Sequence, residues 1–154
     1  MSAHDSARVI APPPLLYLAA LGGVLGLRWQ WPMPIAAPSA VWWPAIVLCG
    51  LSLALGIWGR RTLLAAGTAI NPGRPTTALV TQGPYRHSRN PVYLALTALF
   101  AGITLAADTW WGVAALLPLA ALMHYGVVLR EERYLERKFG DAYRDYRVRV
   151  RRYL

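Results

Sequence analysis

Apolar positions along this chain gather into four blocks, separated by polar, charged or proline-bearing breaks. The clearest block covers 41–60, where Val41 to Gly59 carries no charged side chain and Trp42, Trp43 and Trp58 stand near its ends. An α-helix needs about 20 predominantly apolar residues to cross the hydrocarbon core, and tryptophan concentrates at the two membrane interfaces. A second block of that length covers 110–129 and opens on Trp110 and Trp111. The blocks at 91–107 and 11–28 are shorter; the latter is closed by Arg28. Only a few residues around Asp108 separate 91–107 from 110–129, so these two predict an antiparallel helical hairpin. The pattern predicts an all-α, polytopic membrane protein: one domain over 1–154 with four transmembrane helices at 11–28, 41–60, 91–107 and 110–129.

Two polar stretches stand outside these blocks. Residues 60–90 form a long connection dense in Gly, Pro and Thr, which punctuate helices rather than continue them. Its apolar and aromatic content predicts an ordered, functional loop, with ALVT at 78–81 as a short extended piece. After the last block the chain reads REERYLERKFGDAYRDYRVRVRRYL. Tyr134, Leu135, Phe139, Tyr143 and Tyr146 recur there at roughly helical spacing with charges between them. That predicts a C-terminal amphipathic helix over 130–150, interrupted at Gly140.

Composition supports the membrane assignment, since 56% of residues are hydrophobic and 15% charged, against about 25% charged in soluble domains. The net charge of +9 gains meaning from its placement. Fifteen of the sixteen basic residues lie before the first block, in 60–90, or after 129; Arg28 alone lies on the other side. The positive-inside rule then puts both termini and the long loop in the cytoplasm, with the protein in an inner or plasma membrane. Topology and anionic lipid account for the charge, so nucleic acid is not expected as a partner. Cys49 is the single cysteine, which excludes an internal disulfide and a cysteine-based zinc site, and no metal is expected. A cleaved leader ending in AAPSA at 36–40 is disfavoured by Arg28 between it and the apolar run.

Candidate chemistry lies at one membrane edge. GPYRHSRNP, 83–91, leads into the third block, and Pro91 suits a first helical turn. A helix N-terminus offers free N–H groups to a carboxylate. Arg130-Glu131-Glu132 follows the fourth block, and the hairpin makes these two ends neighbours, with the C-terminal aromatics able to cover the gap. A pocket with anion-binding groups, two carboxylates and aromatic walls suits a zwitterionic, partly aromatic ligand. S-adenosylmethionine is one of several that fit. His87 reads as a solvated loop residue before a general base, and His124 either faces a cavity or is packed and hydrogen-bonded.

The run AGTAINPGRPTTALVTQGPYRHSRNPVYLAL, followed downstream by the charged C-terminal segment, resembles the isoprenylcysteine carboxyl methyltransferase and phospholipid methyltransferase superfamily of membrane enzymes. The matching residues are Gly67-Thr68, Pro72, Leu79-Val80-Thr81, Gly83-Pro84-Tyr85-Arg86, Arg89-Asn90-Pro91, Tyr93, Glu131-Glu132, Leu135, Phe139-Gly140, Tyr143 and Tyr146. The resemblance covers about 60–150 and implies S-adenosylmethionine-dependent methyl transfer to a lipophilic small molecule or lipid, with membrane lipids around it and the cofactor held on the cytoplasmic side. It implies a cofactor-binding set of Gly83, Pro84, Tyr85, Arg86, Arg89, Asn90, Pro91, Tyr93, Glu131 and Glu132, with Arg89 and Glu132 as the catalytic pair. Asn90 stands where many members have histidine, so no titrating base is expected there. Ala95 stands near a common glycine. A membrane reductase using NADPH and a non-catalytic four-helix protein are the alternative readings.

Overall fold

The computed structural model describes residues 7, 9–36, 38–69 and 75–153, and among them the regular structure is entirely helical. Helix α1 covers Pro13–Gln30 and α2 covers Pro38–Ala65. A 3-10 turn at Gly83–Arg86 precedes α3, Pro91–Ala106. Helix α4, Trp110–Met123, passes through a π-helical turn at His124–Val128 into α5, Leu129–Phe139. Helix α6 covers Asp141–Arg149.

Two of the expected boundaries move. Helix α2 was expected to stop near residue 60 but runs to Ala65. The fourth block was expected to end at 129, with a separate helix after it, yet Trp110–Phe139 is one continuous 30-residue helix. The cause is the same in both. Charged residues end an apolar pattern without ending a helix, because Arg, Glu, Lys and Leu are all good helix formers. The backbone breaks only at Gly140, whose φ of 53° lies in the left-handed region. The break expected there is present. No strand forms at 78–81.

Ala40–Ala65 and Trp110–Phe139 are long and apolar enough to cross a bilayer, while α3 is apolar but shorter. At 1.5 Å per residue, 30 residues reach about 45 Å, well beyond a hydrocarbon core of about 30 Å. A soluble core helix is buried, yet only 17% of the apolar window of α2 is. Ile46, Val47, Leu51, Leu53 and Ile57 on α2 are all exposed, as a lipid-facing surface requires.

The expected α3–α4 hairpin is present, and α2 packs even more intimately on α3. Close approach is possible because the seam is built from small residues. A Cβ on Gly102 would meet Cys49 Sγ at 2.6 Å and the Cys49 backbone N at 3.2 Å. Ala95 faces Gly56 across the same seam, where even an added Cβ would come no closer than 3.5 Å. Tyr17, Val24, Phe100, Leu119, Met123 and Val127 form the core among α1, α3 and α4. At the far end of α3, Asp108 Oδ1 accepts the backbone N–H groups of Ile35 (2.7 Å) and Ala36 (3.1 Å). Trp111 Nε1 donates to Trp31 O at 2.8 Å, so the α1–α2 and α3–α4 connections are locked together at that end.

Candidate active site

At the other end of α3 the long connection folds back on the helices. Buried Thr68 accepts the N–H groups of Thr77 (3.0 Å) and Ala78 (3.4 Å) on its Oγ1, and Thr77 Oγ1 donates to Gly67 O at 2.8 Å. The Thr76 N–H donates to Tyr134 Oη at 3.1 Å, which fastens the loop to α5. Pro72 and Arg74, like Arg8, lie outside the described residues. Under this loop is a cavity of about 80 Å³. Leu63 of α2, Val92 and Tyr93 of α3, Glu131, Glu132 and Leu135 of α5, and Tyr143 and Tyr146 of α6 line it, together with loop residues that include Leu79, Val80, Tyr85, Arg89 and Asn90.

The two adjacent glutamates sit in different electrostatic settings. Glu132 is held by two guanidinium groups. Arg89 Nη2 donates to its Oε1 at 2.9 Å, while Arg152 donates Nε to Oε1 at 3.0 Å and Nη2 to Oε2 at 2.9 Å. The Arg89 and Glu132 side chains are 7% and 10% exposed, so this pair is shielded from water. Glu131 accepts only the Tyr93 hydroxyl, on Oε2 at 2.7 Å, with no cation in ion-pair range among the described residues. Arg89 spends Nη1 on Arg147 O at 3.3 Å, but its buried Nε has no partner. A buried N–H without an acceptor is costly and marks a place where a ligand can supply one.

The aromatic wall is fixed by its own hydrogen bonds. Tyr146 Oη donates to Tyr85 O at 2.6 Å, tying α6 to the 3-10 turn. Burial pushes the phenols of Tyr85, Tyr143 and Tyr146 well above their ordinary range, so all three remain neutral donors. Asn90 does not cap α3. Its Nδ2 donates to Arg152 O at 3.0 Å and its N–H to Ser88 Oγ at 3.1 Å, leaving the first turn of α3 without a side-chain cap.

Of the expected site residues, Tyr85, Arg89, Asn90, Tyr93, Glu131 and Glu132 converge on the cavity. The other four do not line it. Arg86 is exposed, because the 3-10 turn points it outward once Tyr85 is buried. Pro84 packs towards α2 near Gly59, and Gly83 lies in a neighbouring groove with Arg61 and Thr62. Pro91 is fully buried at the start of α3, where it shapes the helix instead of facing the cavity. His87 is exposed, and the Nδ1 of His124 is hydrogen-bonded to Tyr153 Oη at 2.8 Å. Sequence reasoning missed Arg152, which lies in a basic tail with nothing to single it out, and Leu63, Thr76 and Ala78. The covering role of Tyr143 and Tyr146 was legible from their helical spacing.

A family model described as phospholipid methyltransferase matches residues 41–142, from the start of α2 into α6 and so across most of the cavity-lining elements. The chain belongs to that family. The phospholipid methyltransferase family is part of the superfamily of membrane methyltransferases that also holds the isoprenylcysteine carboxyl methyltransferases. Its members are S-adenosylmethionine-dependent, so this membrane protein is an S-adenosylmethionine-dependent methyltransferase. No curated protein and no solved structure matches the chain. The matched region of this phospholipid methyltransferase stops before Arg147 and Arg152, which complete the Arg89–Glu132 network.

Proposed function

We propose that the enzyme methylates the headgroup of a membrane phospholipid at the cytoplasmic face, with S-adenosylmethionine held in the cavity between α3, α5 and α6. The bound cofactor supplies an electrophilic methyl group on a sulfonium. The observation that carries the reading is the pairing, in one cavity, of an arginine whose buried Nε–H has no acceptor and a carboxylate with no cation in ion-pair range among the described residues. Arg89 Nε fits the carboxylate of an amino-acid moiety, and Glu131 fits its ammonium. Tyr85, Tyr143 and Tyr146 supply aromatic faces for a cation or a flat ring.

The catalytic pair proposed from the sequence is thereby refined. Arg89 touches the ligand, and Glu132, with both oxygens occupied by guanidinium groups, acts through Arg89. Displacement at a methyl carbon depends more on alignment than on strong acid or base chemistry. Pockets for ligands of this size run from about 300 to 1,000 Å³. A cavity of about 80 Å³ therefore has to widen, and the loop and α6 are the elements placed to part. Helices α1 and α3 complete a four-span bundle whose basic end is cytoplasmic.

Titration of the detergent-solubilised protein with S-adenosylmethionine in a calorimeter tests the cofactor site, and transfer of a labelled methyl group to extracted phospholipids tests the acceptor. Binding in the micromolar range and label in an amine-bearing lipid are expected. Saturable binding of NADPH with none of S-adenosylmethionine would end this reading.

A further inference from the structure

The last described residues of the chain form a strap over the cavity end of the molecule. After α6 the backbone becomes extended at Val150, with φ −123° and ψ 129°. The Arg89 N–H donates to Arg151 O at 3.0 Å, and Ser88 Oγ and Asn90 Nδ2 donate to Arg152 O at 3.3 and 3.0 Å. Beyond these backbone ties, Arg152 grips Glu132 through two nitrogens, and Tyr153 Oη meets His124 Nδ1 in the π-helical turn. Three consecutive residues, Arg151, Arg152 and Tyr153, thus bind the loop before α3, helix α5 and the π turn at once.

The grip on Glu132 has a consequence for Arg89. Among the described residues Glu132 Oε2 has a single partner, Arg152 Nη2, and Oε1 is shared between Arg89 Nη2 and Arg152 Nε. Arg89 therefore reaches Glu132 through one Nη only, and its Nε is left over. An arginine beside an unshared carboxylate prefers the two-pronged pairing, which uses a second N–H. Arg152 blocks that arrangement by occupying the second oxygen. It also leaves the cluster of two guanidinium groups and one Glu132 carboxylate with a residual positive charge, which favours an anionic group at the free N–H.

We propose that Arg152 is a positioning residue: by clamping Glu132 it keeps Arg89 Nε unpaired and available to the carboxylate of the cofactor. This rests on the cavity being the cofactor site. Without Arg152, Arg89 closes on both oxygens of Glu132 and withdraws the donor. The fold around the cavity survives, because the strap's backbone ties to Ser88, Arg89 and Asn90 use carbonyl groups that any residue supplies.

Calorimetric titration of S-adenosylmethionine into wild type, Arg152→Ala, Arg152→Lys and Glu131→Gln, each with its melting temperature in the absence of ligand, tests the proposal. Losing one hydrogen bond to a charged group costs from about tenfold to about a hundredfold in Kd. Arg152→Ala is expected to raise Kd by at least about tenfold at unchanged stoichiometry, and Arg152→Lys, which keeps the charge but not the fork, to fall between it and wild type. The ligand-free melting temperatures should stay close together. An unchanged Kd in both Arg152 variants overturns the proposal, and so does a reduced stoichiometry with unchanged Kd, which is the mark of a merely structural role. If Arg152→Ala does not fold, Arg152→Lys alone decides. Glu131→Gln separates the two levels: weak binding there with normal binding in the Arg152 variants refutes the clamp and leaves the cofactor site standing. Full-strength binding in every variant refutes both.

Discussion

Glu131 and Glu132 are neighbours in sequence and have opposite energetics. Glu132 lies between two guanidinium groups, so taking it away leaves Arg89 buried without a carboxylate. Breaking a buried pair from one side costs about 3–5 kcal/mol. Glu132→Ala should therefore lower both the melting temperature and the affinity for S-adenosylmethionine. Glu131 has no cation to compensate its burial among the described residues, so its charge is a cost to the free enzyme. Glu131→Gln should leave the melting temperature unchanged or raise it, while weakening cofactor binding and slowing transfer. Thermal unfolding beside calorimetry separates the two glutamates, and equal loss of stability in both variants would count against this division of roles. The sequence exposes the pair but not the division, because the deciding group is Arg152, twenty positions along the chain.

Helix boundaries follow the backbone, not the hydropathy, and the site depends on that. The helix that starts at Trp110 carries Glu131 and Glu132 to the cavity because it does not stop where its apolar pattern stops. Within it, the π-helical turn at His124–Val128 changes the winding and so resets which face α5 turns to α3. The turn also frees a carbonyl, and Gly126 O accepts the Ile10 N–H at 3.2 Å. Nothing in HYGVV announces this, since the turn is held by tertiary contacts with Ile10 and Tyr153. Deleting Tyr125, whose side chain is exposed, should restore regular α-helix and rotate the glutamates off the cavity. Circular dichroism should show undiminished helix while S-adenosylmethionine binding is lost; retained binding would show that the π turn is dispensable. The tyrosines between α6 and the 3-10 turn give a pH dependence of definite sign. Their folded pKa values are raised above the ordinary 10.0, chiefly by burial, so the stability they contribute is fully present below pH 10.0 and is lost as the pH rises through the folded values. A spectrophotometric tyrosinate titration should show ionisation of these groups delayed until the structure opens.

At the scale of the whole molecule the two ends of the bundle are chemically unlike. One end holds the cavity, the long loop, α6 and the strap, and with them nearly all of the arginines. The other end holds Asp108, with its two backbone partners, and the tryptophans around it, with Arg28 as its single basic residue. Helices α2 and α4–α5 connect the ends, and their apolar surfaces face outward. The charge asymmetry was legible in the sequence because it needs only the order of apolar and basic runs. The cavity's interior was not, because it depends on how a loop of irregular backbone folds onto three helices. If the basic end is cytoplasmic, a membrane-impermeant maleimide will distinguish the two connections. In a Cys49→Ala background, Met33→Cys places an exposed thiol in the α1–α2 connection, where the Met33 backbone carbonyl accepts the Trp110 N–H at 2.9 Å. His87→Cys places one on the exposed surface of the cavity end. In sealed right-side-out vesicles Met33→Cys should label at once and His87→Cys only after permeabilisation. The opposite pattern would invert the topology and put the cofactor site on the wrong side for a cytosolic supply. Labelling of both thiols without permeabilisation would mean that α2 does not cross, and the four-span arrangement would fall with it.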